Sequence, residues 1–143
     1  MTASFGATIW TVEVHKEVDK NWLLDEASGP INASAGGALD TAATLLTDLL
    51  VDSNYGDNPT ATRESSRDVT ISGNVPGHLV QTLITLSPAY VAAQGLKVKT
   101  ERLWVLVVQP DSNHRSAFMI SVPDVVRQLW PSVPAVISQI KVG

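Results

Sequence analysis

Two neighbouring apolar segments constrain the fold of this 143-residue chain more than any other feature. The longest strand candidate, residues 96–110, contains the run Leu-Trp-Val-Leu-Val-Val at 103–108, and residues 116–122 are again apolar on both faces. Strands without a polar face belong in the middle of a sheet. Residues 111–115 between them have the composition of a hairpin loop. The pattern therefore predicts a central antiparallel hairpin.

One amphipathic helix is the clearest candidate for packing on this hairpin. Between residues 38 and 52 apolar side chains recur at helical spacing, and Asp40 lies in the first turn, where its charge suits the exposed N–H groups. Asn54 and Gly56 supply stop signals. The predicted buried stripe consists of Leu39, Ala42, Ala43, Leu46, Leu49 and Leu50.

The other segments are assigned from alternation and turn residues. Residues 9–15 alternate as a half-buried strand does, residues 19–37 predict a short strand within a loop, and residues 62–72 predict an exposed strand. Residues 78–87 also fit a helical stripe, but their short length and β-branched content favour a strand. Residues 87–95 are predicted to be a crossing loop with at most a helical turn.

The C-terminal region predicts a helix that proline interrupts. Pro131 and Pro134 forbid one continuous helix, because proline lacks an N–H and clashes with the preceding turn. We expect a short helix over residues 124–129, a break, and a second helical piece capped by Ser132.

Length and composition fit a single domain spanning residues 1–143. The chain is 44% hydrophobic and 17% charged, which supplies one core and argues against general disorder. The order of the elements predicts an α+β fold: an antiparallel sheet of about five to six strands packed by two main helices on one side.

Charge and cysteine content exclude several classes of function. The net charge is −4, whereas nucleic-acid binders present basic surfaces that neutralise phosphates, so no nucleic-acid partner is expected. The chain has no cysteine, which excludes disulfides and thiolate chemistry. No apolar run reaches the roughly 18 residues of a membrane span. The N-terminal residues lack the features of a signal peptide, so we expect either a cytoplasmic protein or one whose export segment is removed.

No motif for catalysis stands out. His15, His78 and His114 are more than thirty residues apart, a spacing that favours exposed or loop histidines over metal ligands. Residues 73–77 are spaced like a glycine loop but lack a following Lys-Ser/Thr, so they predict a hairpin turn rather than a phosphate site. We expect no catalytic residue, no metal and no cofactor. A small hydrolase built on His78 or His114 is the weakest alternative.

Tryptophan is the more informative residue type. Trp104 lies within the longest strand and is expected in the core, whereas Trp22 and Trp130 lie near segments rich in glycine or broken by proline. A large amphipathic ring at such a place lines a groove or closes one end of the core. With His78, these two tryptophans form the set of candidate ligand-binding residues.

Several segments together resemble a known family. Residues 68–78 read Asp-Val-Thr-Ile-Ser-Gly-Asn-Val-Pro-Gly-His, and they are followed by the apolar run 103–108, by Phe-Met-Ile-Ser-Val-Pro at 118–123 and by a terminal helix ending at 140–143. This order is similar to the PsbP-like fold of exported actinobacterial lipoproteins and membrane-anchored proteins of the LpqN type. The resemblance implies an extracytoplasmic domain behind a removed N-terminal anchor, with an accessory or binding role and no shared catalytic residues.

The leading hypothesis is accordingly a non-enzymatic interaction module outside the membrane. It would be a monomer or weak dimer that binds a protein, a cell-envelope component or a small amphipathic ligand, and would meet the membrane only through its anchor. The alternative is a structural assembly subunit, of a phage tail or a secretion apparatus, that pairs through an exposed edge such as residues 62–72.

Overall fold

An antiparallel sheet organises the fold, and its strands run β1-β2-β6-β5-β4-β3 across it. The computed structural model describes residues 11–19, 22–31, 37–71 and 73–140, with side chains from Ile31 onward. Strands that follow one another in the chain are paired, except that β2 pairs with β6 and not with β3. The strands are β1 (Thr11–Asp19), β2 (Trp22–Ile31), β3 (Thr60–Ile71), β4 (Val75–Thr85), β5 (Thr100–Asp111) and β6 (His114–Pro123).

Helical segments cover both faces of this sheet. The longest, α1, packs on β4 and β5, and the C-terminal segments pack on the opposite face. A short helix, α2, lies in the connection between β4 and β5. The segments are α1 (Leu39–Asn54), α2 (Pro88–Gln94), a 3₁₀ segment (Asp124–Ser132) and α3 (Val133–Ser138).

The two faces of β5 show why its sequence is apolar throughout. Leu103 and Val105 point to the core under α1, while Trp104 and Leu106 point to the core under the C-terminal segments. All four side chains are at most 3% exposed. Since successive side chains of a strand alternate between faces, a strand covered on both sides needs apolar residues at every position.

The predicted arrangement of the fold is wrong, although the α+β class holds. We expected a sheet of about five to six strands packed by two main helices on one side. The part with described side chains is a sheet of four antiparallel strands, β3 to β6, with three α-helices, and β1 and β2 continue its backbone pairing. Only α1 is longer than seven residues, and the covers lie on opposite faces. The reason is that strands apolar on both faces require cover on both.

Three segments depart from prediction, and part of a fourth lies outside the described residues. Residues 19–37 contain a ten-residue strand, β2, rather than a short strand in a loop. Residues 96–99 precede β5, because Gly95 adopts a left-handed conformation and turns the chain. The expected helix at 124–129 is 3₁₀, and Ser132 makes no side-chain cap. Residues 9 and 10 of the first predicted strand lie outside the described residues.

Three predicted elements are confirmed: the amphipathic helix, the central hairpin, and the strand at residues 78–87 that also fitted a helical stripe. The stripe on α1 packs against the sheet, with Ala42, Ala43 and Leu46 at most 5% exposed. The segment that also fitted a helix is the strand β4. The exposed segment predicted at residues 62–72 is β3, which forms one edge of the sheet.

Candidate functional site

A groove of about 340 Å³ opens between the sheet and the 3₁₀ segment, on the face opposite α1. Its volume falls within the range of sites for small ligands or short peptide segments. The lining combines cationic, aromatic and proline side chains. We call it the Trp130 groove, and its residues are Gln81, Arg102, Trp104, Arg127, Trp130, Pro131 and Pro134.

Strand register brings the floor of the groove together. Gln81 of β4 is paired with Trp104 of β5, and Arg102 lies two residues before Trp104, so all three side chains share one face. The indole Nε1 of Trp104 donates to Gln81 Oε1 at 3.1 Å. The wall comes from the 3₁₀ segment, where Trp130 Nε1 donates to the carbonyl oxygen of Val122 at 2.9 Å.

Arg102 is the most constrained group in the groove. Its guanidinium carbon lies 4.4 Å from the ring centroid of Trp130. On its other side, Nε donates to Glu64 Oε1 at 2.9 Å and Nη2 donates to Oε2 at 3.0 Å. A two-point ion pair combined with a stacked ring fixes both the position and the plane of a guanidinium.

Glu64 reaches this face through an irregularity in β3. The pairing of β3 with β4 shifts between Arg63 and Ser65, and a bulge of this kind re-aims the side chain of the extra residue. Gln81 Nε2 also donates to Glu64 Oε1, at 3.0 Å. Burial by itself raises the pKa of Glu64, but hydrogen bonds from Arg102 and Gln81 and the charge of Arg102 outweigh it, so the pKa lies below its ordinary value.

The groove is suited to an anion attached to a flat apolar group. Arg102 keeps N–H groups beyond those that bind Glu64, and exposed Arg127 has no acidic partner among the described residues. The rings of Trp130, Pro131 and Pro134 provide apolar contact surface. Guanidinium groups bind carboxylates in a planar, directional way, and tryptophan and proline rings pack on flat groups.

The structure separates the predicted ligand-binding residues. Trp130 lines the groove. His78 shares its strand face with Val80, which packs in the core under α1, so His78 lies on the opposite side of the sheet. Trp22 begins β2, but its side chain lies outside the described residues. The three residues therefore do not form one site as far as the structure describes them.

A second cavity lies at the other end of β4. It measures about 530 Å³ and is lined mainly by apolar side chains from the connection between β4 and β5. We call it the α2 cavity, and its residues are Thr85, Leu86, Pro88, Val91, Ala92, Gly95, Leu96 and Lys99.

His78 belongs to a chain of three polar groups. Its Nδ1 lies 2.8 Å from Asp68 Oδ1, and its Nε2 lies 2.7 Å from Ser66 Oγ. Acid, imidazole and hydroxyl follow one another in the order of a nucleophile-activating triad. In a triad, however, the acid is buried, whereas the Asp68 side chain is 93% exposed. Neither the Trp130 groove nor the α2 cavity borders these groups, so we assign them to holding the edge strand β3 on β4.

The third histidine begins β6, directly after the tight turn that joins β5 to β6. His114 Nδ1 is 2.7 Å from Asp111 Oδ1, and both side chains are exposed. The backbone N–H of Asn113 and the His114 ring lower the pKa of Asp111. These contacts close the turn locally.

Buried polar groups also lie under α1. The Ser121 hydroxyl donates to Glu101 Oε1, and Tyr55 Oη is 2.6 Å from Ser121 Oγ. Glu101 is only 2% exposed, and carboxylates are rarely buried unless they are paired. Since Tyr55 follows the last turn of α1, the network joins the end of the helix to the sheet.

Sequence reasoning missed Arg102, Gln81, Glu64 and Arg127. The spacing of Arg102 from Trp104 was a usable signal, because residues two apart in a strand share a face. The β3 irregularity that brings in Glu64 has no sequence signal that we recognise.

Two further features of the described residues bear on function. No group of three or more His, Asp or Glu side chains there is arranged to hold a metal ion. Nor does any helix in the described ranges have the length and apolar character needed to cross a bilayer.

Comparison with known proteins identifies a fold and no more. No family model matches the sequence, and no curated protein matches it. Among solved structures, the chain is similar to PA94 from Pseudomonas aeruginosa, described as a protein of unknown function and a putative regulator. The TM-score is 0.55 at 7% sequence identity, over 96% of this chain and 83% of that one. The PsbP-like resemblance stays a prediction.

Proposed function

We propose that this chain is a non-enzymatic binding domain whose ligand presents a carboxylate beside a flat apolar group to the Trp130 groove. The observation that supports this proposal is the fixed guanidinium of Arg102, held between the Glu64 carboxylate and the Trp130 ring. A preordered group loses little side-chain entropy when a ligand binds, so each new hydrogen bond contributes more to affinity.

The natural ligand that fits this chemistry best is a segment of a partner protein with an acidic residue next to an aromatic or proline residue. The carboxylate would take the free N–H groups of Arg102 and approach Arg127, and the ring would pack on Trp130 and Pro134. A location outside the cytoplasm, which the PsbP-like resemblance implies, is part of the same proposal.

Two observations favour this function over the alternatives. A hydrolase of the triad type would need a buried acid beside its histidine, and Asp68 is nearly fully exposed. An assembly subunit pairing through β3 would need a regular edge. The β3 edge instead has a shifted register at Arg63–Ser65 and charged residues along it, features that protect natural edge strands from pairing.

The binding chemistry is tested with indole-3-acetate and tryptamine, which share a ring system and carry opposite charges. Each of the four tryptophan side chains contributes one indole N–H signal to a ¹H–¹⁵N spectrum, and we expect indole-3-acetate to shift the signals of Trp130 and Trp104 saturably. Tryptamine should produce little shift. Arg102→Lys keeps the charge but loses the two-point geometry and the stack, so binding should weaken about tenfold.

Arg67→Lys is the matched control, because Arg67 is exposed on β3 and does not line the groove. It should bind indole-3-acetate as the unmodified chain does. Equal shifts with both probes, or equal affinity in the Arg102 and Arg67 variants, would overturn the assignment of the groove.

A further inference from the structure

We infer a second ligand site, independent of the Trp130 groove: the α2 cavity binds an alkyl chain that ends in a carboxylate. The site lies where β4 ends at Thr85 and β5 has not yet begun at Thr100. The intervening chain leaves the sheet and forms one wall of the cavity.

The walls are apolar: Leu86 belongs to the core under α1, and the side chains on the α2 side are only partly buried against that core. Val91 and Leu96 line the cavity from the α2 side, and Leu86 lines it from the sheet side. Although α2 carries mostly apolar residues, none of them is fully buried. Burying apolar surface is favourable by about 25 cal/mol per Å², so these side chains offer a gain to an apolar ligand of suitable width.

The backbone around the cavity is fixed at both ends of α2. The Ser87 hydroxyl accepts from the N–H of Tyr90, and the N–H of Leu96 donates to the Val91 carbonyl at 3.0 Å. The Tyr90 ring packs so closely on Gly56 that a Cβ there would lie 2.6 Å from it. These contacts hold α2 in place. The wall of the cavity is therefore a fixed helix, and it cannot collapse into the cavity as a free loop could.

Lys99 determines the charge at the mouth of the cavity. Its side chain is exposed, lines the cavity and has no ion-pair partner among the described residues. The nearby Asp124 carboxylate accepts from the backbone N–H groups of Lys99 and Thr100, at 3.2 and 3.1 Å. In a chain of net charge −4, an available ammonium beside an apolar cavity favours a ligand with an anionic head.

Dodecanoate and dodecyltrimethylammonium, both kept below their micelle concentrations, test this site by calorimetry and by amide shifts of Val91, Ala92 and Gly95. We expect saturable binding of one dodecanoate per chain and weaker binding of the cationic probe. Lys99→Gln should weaken dodecanoate binding about tenfold. Ala92→Phe should abolish it by filling the cavity; should that variant fail to fold, Ala92→Leu replaces it.

Two controls separate this site from other surfaces. Lys97→Gln removes a neighbouring exposed lysine that does not line the cavity, and Trp130→Leu alters the other groove. Both should bind dodecanoate normally. The inference is overturned by the absence of saturable binding, by equal affinity in the Lys99 and Lys97 variants, or by normal binding in the Ala92 variant. Loss of binding in Trp130→Leu alone would place the probe in the Trp130 groove instead.

Discussion

The two faces of the sheet are covered in different ways. On one face, the sixteen-residue helix α1 buries Ala42, Ala43, Leu46 and Val51 against the strands. On the other face, the nine-residue 3₁₀ segment has no buried residue, and the six-residue α3 buries Val133 and Ile137. The first cover buries a continuous apolar stripe against the strands, and the second leaves the Trp130 groove beside it.

The difference follows from proline. An uninterrupted helix presents an apolar stripe along its whole length, which packs densely on a sheet. Pro131 and Pro134 prevent that arrangement, because a proline inside a helix removes a hydrogen bond and clashes with the preceding turn. Trp130 is left half-buried at the break, where it stacks on Arg102. The Trp130 groove therefore exists because the interrupted C-terminal segments do not cover the whole of this sheet face.

The largest predicted difference between the two faces is the loss of unfolding free energy when an apolar side chain is truncated. Leu46→Ala should lower the free energy of unfolding by about 2–5 kcal/mol, because it opens a cavity under α1. Val136→Ala on α3 should cost no more than about 0.5 kcal/mol, since that side chain is 40% exposed. Urea unfolding of both variants measures the contrast. A similar loss for the two would show that the covers are equally tight.

A smaller change in the free energy of unfolding is expected from one buried hydroxyl on the sheet face under α1. Thr82 is 1% exposed, and its hydroxyl has no hydrogen-bond partner among the described residues. Thr82→Val replaces the hydroxyl with a methyl of similar size, so it should raise the free energy of unfolding by about 1 kcal/mol.

Ser121→Ala is the control for that substitution. The Ser121 hydroxyl is bonded to both Tyr55 and Glu101, and its removal should destabilise the chain by about 1–3 kcal/mol. Thermal unfolding ranks the two variants. Destabilisation by Thr82→Val would mean that its hydroxyl is bonded in the folded protein.

The sequence predicted those parts of the fold whose pattern lies within one helix or one hairpin. The stripe on α1 recurs at helical spacing, and the two strands of the central hairpin are continuous apolar runs, so local sequence patterns identified both. Residues 96–99 were wrongly counted into β5, because Gly95 ends the preceding helix and turns the chain before that strand begins. The predicted packing of the helices was wrong, because it left one apolar face of the central strands without a helix. In the structure α1 and the C-terminal segments pack on opposite faces.

The candidate site was predictable only in part. Proline near Trp130 left two alternatives, a ring that lines a groove or a ring that closes one end of the core, and Trp130 lies at a groove beside the broken helix. Arg102 is brought to that ring by the register of β5, and Glu64 by a shift in β3; both are properties of strand pairing that a single sequence does not specify. His78 was grouped with Trp130, although the two residues lie on opposite faces of the sheet.

The smallest predicted effect concerns the ion pair on the open face. Because the folded state lowers the pKa of Glu64 below its ordinary value of 4.5, ionised Glu64 stabilises the fold above that pH. The contribution is lost as the pH falls below 4.5 through the folded-state pKa. Glu64→Gln should therefore reduce the free energy of unfolding at pH 7 by less than about 1 kcal/mol, and the difference from the unmodified chain should shrink under acid.

Urea unfolding at pH 7 and near pH 3 measures that change, with Asp48→Asn as its control. Asp48 lies 3.5 Å from Arg63 in an exposed pair on the α1 side, where water screens the attraction, so its removal should have an effect near zero at either pH. A pH-independent loss in Glu64→Gln would mean that the residue acts through its hydrogen bonds alone. In that case the hydrogen bonds from Arg102 and Gln81 to Glu64, together with the Trp130 ring, would order the open face without a contribution from the charge of Glu64.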